Sequence, residues 1–192
     1  MSDRRWSGWG ASARGPEHVR TGIPNQDAWM IRRFRDGIAV AVSDGLGSCG
    51  HADVGARAAC VAVGEAAGIH FQHAPADLTR MPVLVQHLWR LLLAGHDPAD
   101  CSATCLFVAA RDGAGTVLAQ LGDGLIAACQ DDGTVDLLMP DKSESFANIV
   151  PPQSNRDRPH RRVTYTARRF PCPVVPVVST PPSRKSLSSK ST

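Results

Sequence analysis

The apolar positions along the chain change period twice. Residues 38–42 are apolar at every position, as in a strand covered on both faces, and Asp36-Gly37 before them is a turn signal. A shorter apolar run at 28–33 follows the Pro24-Asn25 turn and predicts a strand ahead of it. Between 52 and 69 the spacing of Val54, Ala58, Val61, Ala62 and Ile69 suits a helix, with Asp53 in its first turn, where a negative charge meets the positive end of the helix dipole. Gly55 and Gly64 weaken that helix by up to about 1 kcal/mol each. A second helix is predicted over 81–94. Pro82 is tolerated in its first turn, Leu84, Leu88, Leu91 and Leu92 form a stripe, and Gly95 marks the stop. Four short runs then follow at 104–110, 116–121, 125–130 and 134–138, divided by Asp112-Gly113, Gly122-Asp123-Gly124 and Asp132-Gly133. Asp-Gly between strand-sized runs predicts hairpins, and the four are expected to form one antiparallel meander. Helices beside antiparallel strands make the fold class α+β.

Beyond 150 no usable period remains. Residues 151–192 hold eight of the 14 prolines and end in a Ser/Lys/Arg run. Most of this segment is expected to be disordered, because it has too little apolar surface to offset its ordering entropy. Charge divides at the same place. Residues 1–150 carry 12 Lys+Arg against 17 Asp+Glu, a net of −5, and residues 151–192 carry 9 against 1, a net of +8. The chain is therefore read as a body over 1–150 and a basic tail over 151–192. A nucleic-acid surface on the body is not implied, and the tail's contacts with anions are expected to be unspecific.

No apolar run approaches the roughly 18 residues of a membrane span, and the charged start (MSDRRWSGWG) has no apolar signal region. The six cysteines have no CxxC spacing and read as free thiols, mostly small core residues, which together with the missing signal points to the cytoplasm. The histidines form no HExxH or HxH pair, and no serine lies in a GxSxG elbow.

Three aspartates stand out by position. Asp44 ends the strand at 38–42 and is followed by Gly45. Asp27 enters the preceding strand after Asn25-Gln26. Asp123 lies between two of the short runs. A carboxylate at the end of a buried strand is costly unless paired, hydrogen-bonded or bound to a cation. Glycine beside it lets a backbone carbonyl approach a ligand. Ligation by oxygen alone suits Mg2+ or Mn2+. Asp112-Gly113 and Asp132-Gly133 read as turn chemistry. Residues 45–50 also match GxGxxG between a strand and a helix. Glu65, 20 residues beyond Gly45, falls inside the helix pattern, and no parallel repeat follows, so nucleotide binding is a minor alternative.

The ordered set Ser12-Ala13-Arg14-Gly15, Asn25-Gln26-Asp27-Ala28, Val40-Ala41-Val42-Ser43-Asp44-Gly45, Cys101-Ser102-Ala103-Thr104 and Leu121-Gly122-Asp123-Gly124 resembles the bacterial metal-dependent Ser/Thr protein phosphatases of type 2C. The resemblance covers about residues 10–150. It implies an αββα sandwich of two antiparallel sheets, with two Mn2+ or Mg2+ ions at one end and a phosphoprotein substrate. By similarity Asp44 bridges the metals, the Gly45 carbonyl binds one, Asp27 acts through bound waters beside Gln26, and Asp123 serves a third, weaker metal. Water activated between two cations then attacks phosphorus in line, with no phosphoenzyme.

The departures are specific. The family's phosphate-binding arginine stands a few residues before the aspartate equivalent to Asp27. Here Gly22 and Ile23 occupy that neighbourhood, and Arg20 is the nearest candidate. Leu46 stands where some relatives carry a histidine, so leaving-group protonation is unassigned. Two further metal aspartates are expected downstream, yet Asp157 is the only acidic residue after 150. The domain is thus expected to be C-terminally incomplete or divergent and weakly active or inactive. A non-catalytic phosphoprotein-binding module is the alternative. Neither the substrate nor the oligomeric state is legible.

Overall fold

The computed structural model describes residues 6–72, 80–111, 115–122, 124–129, 135–137, 164–168 and 175–179. A short helix, α1 (Pro16–Thr21), precedes the hairpin of β1 (Asp27–Phe34) and β2 (Gly37–Asp44). Helices α2 (Ala52–Gln72) and α3 (Met81–Leu92) follow, then β3 (Cys105–Arg111), β4 (Gly115–Leu121), β5 (Leu125–Cys129), β6 (Val135–Leu137), β7 (Thr164–Arg168) and β8 (Val175–Ser179). Five strands form one antiparallel sheet in the order β1-β2-β3-β4-β7, and three form a second in the order β6-β5-β8.

β3 shows how the layers are built. Its apolar sequence alternates between two cores. Cys105, Phe107 and Ala109 join Ala39 and Ala41 of β2 against α2 and α3. Leu106 and Val108 join Leu118 of β4 and Ile126 of β5 on the opposite face, with Val42 packed against them. Because Ile126 belongs to the smaller sheet, this second cluster is the seam between the sheets. Three of the four expected sandwich layers thus lie within the described residues: a helix pair, the larger sheet and the smaller sheet. No helix among the described residues is long and apolar enough to cross a membrane.

α2 lies between the sheet and α3. It buries small residues around most of its circumference, among them Ala56, Ala59, Ala62, Val63, Ala66 and Ala67. Small side chains let two neighbours approach at once. α3 answers with Met81, Val85 and Trp89, spaced four apart on one buried face. At Gly55 the approach reaches the backbone: a Cβ there would sit 1.8 Å from the Cys101 carbonyl oxygen. The Trp89 Nε1–H donates to the Gly55 carbonyl at 3.0 Å. Gly55 is therefore a packing requirement that outweighs its low helix propensity.

The structure departs from the expectations at three places. The four runs after 104 do not make one meander. β3–β4 and β5–β6 are hairpins in different sheets, and the Gly122–Gly124 stretch is the link between sheets. The Asp-Gly signal marks a reversal equally well when the chain changes layer. Second, α1 was not foreseen. It is a six-residue helix with Pro16 at its start and Gly22 in the left-handed region (φ 74°) at its end. Third, the predicted strand at 28–33 lengthens to Asp27–Phe34. Within the segment 151–192, most of it expected to be disordered, residues 164–168 and 175–179 form β7 and β8, which pair with β4 and β5. Thr164-Tyr165-Thr166 and Val177-Val178 are good strand formers, and the backbone edges of β4 and β5 accept them. Pro176 lies in β8 at the edge of its sheet, a place where the missing N–H is tolerated. The remainder of 151–192 lies outside the described residues.

Candidate metal centre

β1 begins at Asp27 and β2 ends at Asp44, and in the hairpin register these two residues stand directly opposite each other. The Gly45 N–H donates to the Gln26 carbonyl at 3.1 Å. That bond makes 26/45 the hydrogen-bonded pair of the ladder, so 27/44 is of the non-hydrogen-bonded type, where opposed Cα atoms come within about 4.5 Å. Opposed side chains leave the same face of a sheet. Ala39 and Ala41 face the helices and Val42 faces the seam, so Asp44 lies on the seam side, and Asp27 with it. Two half-buried carboxylates thus share one face at one end of the larger sheet.

Hydrogen bonds fix this end of the sheet. The Asp27 N–H donates to Asn25 Oδ1 at 3.2 Å, an Asx turn that sets the start of β1, and Asn25 Nδ2 donates to Ser12 Oγ at 2.7 Å. On the other side of Asp44 the chain is fastened to the segment before β3. Thr104 N–H donates to the Asp44 carbonyl at 2.8 Å, Asp44 N–H donates to Thr104 Oγ1 at 2.9 Å, and Leu46 N–H donates to the Ser102 carbonyl at 2.9 Å. The Ser43 hydroxyl donates to the Thr104 carbonyl. Gly45 bridges to Ala103, and a Cβ on it would lie 2.7 Å from the carbonyl oxygens of both Ala52 and Gln26. Only glycine fits there.

The β2/β3 register sets Thr104 opposite Asp44, since the Gly45–Ala103 bridge continues the Val42–Leu106 pairing. Asp27, Asp44 and Thr104 therefore form one row. The β3/β4 pairing ends at Cys105–Leu121, and Gly122 follows β4 in the left-handed region (φ 94°). Asp123, two residues after β4, lies outside the described residues. One step inward, Gln120 Nε2 donates to the carbonyls of Gly122 at 3.0 Å and Gly124 at 3.4 Å. Its Oε1 is buried without a partner.

Arg20 stands on α1, and its guanidinium grips Glu17 through two bonds, at 2.7 and 3.1 Å. With its side chain 73% exposed, this is a solvated ion pair. At the start of α2, Asp53 meets Arg57 Nη2 at 2.6 Å. Burial works against the ionised Asp53 carboxylate, but Arg57 and backbone N–H groups outweigh it and hold its pKa below the ordinary range. Cys101, beside the row, has its thiol pKa pushed up, first by burial and then by the charges of Asp100, Asp53 and Asp97 and by Cys49.

The donor set at the head of the sheet is two carboxylates and the Gly45 backbone, all oxygen. That chemistry fits Mg2+ or Mn2+ and does not favour zinc or copper. Opposed like charges destabilise a strand pair by roughly 0.2–1 kcal/mol, a cost that a divalent cation reverses. Among the described residues no group of three His, Cys, Asp or Glu side chains converges to hold an ion. The glycine-rich 45–50 loop precedes α2, but β3 then returns antiparallel to β2, so the parallel unit of a dinucleotide site is not formed. Sequence reasoning assigned no role to Ser43, Thr104 or Gln120. The available signal was the polar residues closing otherwise apolar strands.

The model of the protein phosphatase 2C family matches residues 14–171 of the chain. The chain belongs to that family. The match runs past 150, through the residues of β7. Solved structures of similar architecture include RsbX in complex with magnesium, 12% identical, covering 76% of this chain and 60% of that one, with a TM-score of 0.48. Another is the PPM Ser-Thr phosphatase MsPP from Mycobacterium smegmatis in complex with cacodylate, at 24% identity, 62% and 47% coverage and a TM-score of 0.43. A third is the Ser/Thr phosphatase Stp1 from Staphylococcus aureus, at 12% identity, 62% and 48% coverage and a TM-score of 0.43. The chain therefore spans about half to three-fifths of the length of these phosphatases. No curated protein matches it in sequence.

Proposed function

We propose that this protein phosphatase 2C domain is a metal-dependent hydrolase of phosphoserine and phosphothreonine on proteins. The observation that carries the reading is the opposed pair Asp27 and Asp44 at the head of the sheet, with Gly45 closing the turn beside it. Asp44 and Asp27 would hold Mn2+ or Mg2+ together with the Gly45 carbonyl, and Asp123 is proposed to hold a further, weaker ion. When bound, such ions make water acidic enough to supply hydroxide near neutral pH and offset charge on phosphoryl oxygens. The chain's own task is to keep the two carboxylates in register and half-exposed, so that a phosphomonoester can approach. Arg20 is proposed as a phosphate contact, which requires it to exchange Glu17 for the ligand. Cytoplasmic action on phosphoproteins follows as part of the same proposal.

Turnover in this chain is proposed to be weak. Beyond 150 the single acidic residue is Asp157, flanked by Arg156 and Arg158. That scarcity also supports a second reading, a non-catalytic phosphoprotein-binding module. An aryl phosphate and a phosphothreonine peptide, each with Mn2+, separate the two. Slow hydrolysis abolished by Asp44→Asn supports the enzyme. Peptide binding without turnover supports the binding module. Hydrolysis that survives both Asp44→Asn and chelation refutes the metal-dependent reading.

A further inference from the structure

The ladder between β2 and β3 is interrupted at one place. Pairing runs in register to Val42–Leu106 and resumes, in the same register, at the Gly45–Ala103 bridge. The bonds Leu46 N–H to Ser102 and Thr104 N–H to Asp44 show that 44/104 is a hydrogen-bonded pair. Such a pair exchanges two backbone bonds. Here the first is made and the second is diverted: the Asp44 N–H donates to Thr104 Oγ1 instead of to the Thr104 carbonyl. The displaced carbonyl takes the hydroxyl of Ser43. Both side chains are buried, with Ser43 1% and Thr104 4% exposed. Asp44 lies opposite Asp27 at a non-hydrogen-bonded position, so β1 supplies its main chain with no ladder bond. Both backbone groups of Asp44 are bonded by Thr104.

We infer that Thr104 is a positioning residue for the Asp44 carboxylate, with Ser43 as its lock. The hydroxyl inserted into the ladder sets the Asp44 peptide at an angle that a plain strand pair would not give. This decides where the carboxylate stands relative to Asp27 and to the Gly45 carbonyl. The inference rests on the proposed metal reading of Asp27 and Asp44. It concerns the Thr104 hydroxyl specifically, because a methyl group of the same size fills the space but accepts nothing.

The test is Mn2+ titration by calorimetry on the full chain in four forms: wild type, Asp44→Asn, Thr104→Val and Thr104→Ser. Partners that orient a ligand from behind typically change metal affinity about 10- to 100-fold. Thr104→Val is expected to bind Mn2+ at least about tenfold more weakly than wild type. Thr104→Ser keeps the oxygen and is expected to remain close to wild type. A purely structural role would lower the melting temperature of Thr104→Val and leave Mn2+ affinity in the folded protein unchanged. That result, or a serine variant as weak as the valine one, overturns the inference while the metal reading stands. Wild type that binds no Mn2+, or Asp44→Asn that binds as wild type does, overturns both. If Thr104→Val does not fold, Ser43→Ala carries the test. It frees the Thr104 carbonyl to reclaim the Asp44 N–H as an ordinary ladder bond. Folded Ser43→Ala is expected to lose Mn2+ affinity, and unchanged affinity overturns the inference.

Discussion

Gly55→Ala sets two opposing effects against each other. In an exposed helix interior the change stabilises by about 1 kcal/mol, because alanine loses less backbone entropy. At this site the new Cβ would sit 1.8 Å from the Cys101 carbonyl oxygen and 2.6 Å from its carbon, where real contacts do not fall below 3.0 Å. Something must move by more than 1 Å, and the obstacle is main chain, not the tip of a flexible side chain. The Gly55 carbonyl also accepts the Trp89 indole N–H, so tilting α2 away from Cys101 strains that bond. Overpacking costs about 1–3 kcal/mol, occasionally more, and here it opposes only about 1 kcal/mol of propensity. Because the clash is with main chain the upper part of that range applies, and a net loss of about 1–2 kcal/mol is expected, equivalent to a fall in melting temperature of about 2–8 °C for a domain of this size. Urea unfolding followed by tryptophan fluorescence reads it. Gly50→Ala is the control, since nothing lies within 4 Å of its Cβ position, and it should change stability by less than about 0.5 kcal/mol. A Gly55→Ala protein as stable as wild type would refute the close packing of α2 on the segment that fastens Asp44.

Trp89→Phe removes the indole donor while the Gly55 carbonyl keeps its bond within α2, so it should cost about 0.5–1.5 kcal/mol in urea unfolding, and an unchanged midpoint would contradict that. Burial pushes the Cys60 thiol up to about 12 and raises that of Cys105 as well. In the native protein a disulfide reagent near pH 8 should therefore modify half-exposed Cys49 and spare both until the chain unfolds. Because these thiol pKa values are raised on folding, their contribution is complete below pH 9 and is lost as pH climbs towards 12, so alkaline unfolding should steepen there. Gln120→Met deletes two donated bonds together with an unpaired buried acceptor, so stability should change by less than about 1 kcal/mol; a loss of more than about 2 kcal/mol would mean that Oε1 is bonded to buried water.

What the sequence shows and what it conceals have separable causes. The strand at 38–42, both long helices and the strand boundaries after 104 follow from local periodicity, and the structure has them nearly in place. Asp27 and Asp44 stand out because they close apolar strands, and the hairpin brings them opposite each other. The division of the later strands between two sheets was not legible. Gly122-Asp123-Gly124 signals a reversal whether the next strand pairs with β4 or departs to another layer, and only the seam formed by Leu118 with Ile126 decides. β7 and β8 were hidden because their segment is basic and proline-rich as a whole, while the partners that order them are the distant β4 and β5. Thr104 was hidden for a different reason. A hydroxyl that replaces a ladder bond is a contact between residues 60 apart, and no spacing reports it.

Asp27 and Asp44 are proposed to form a divalent cation site. Thermal unfolding of wild type and Asp44→Asn, each with and without Mn2+, decides it. Without the ion, removing one of two opposed charges should leave Asp44→Asn as stable as wild type or up to about 1 kcal/mol more stable. With Mn2+ at 100 times its dissociation constant, wild type should gain about 2.7 kcal/mol, and the variant should gain little. Equal stabilisation of both proteins by Mn2+, or of neither, would contradict the claim.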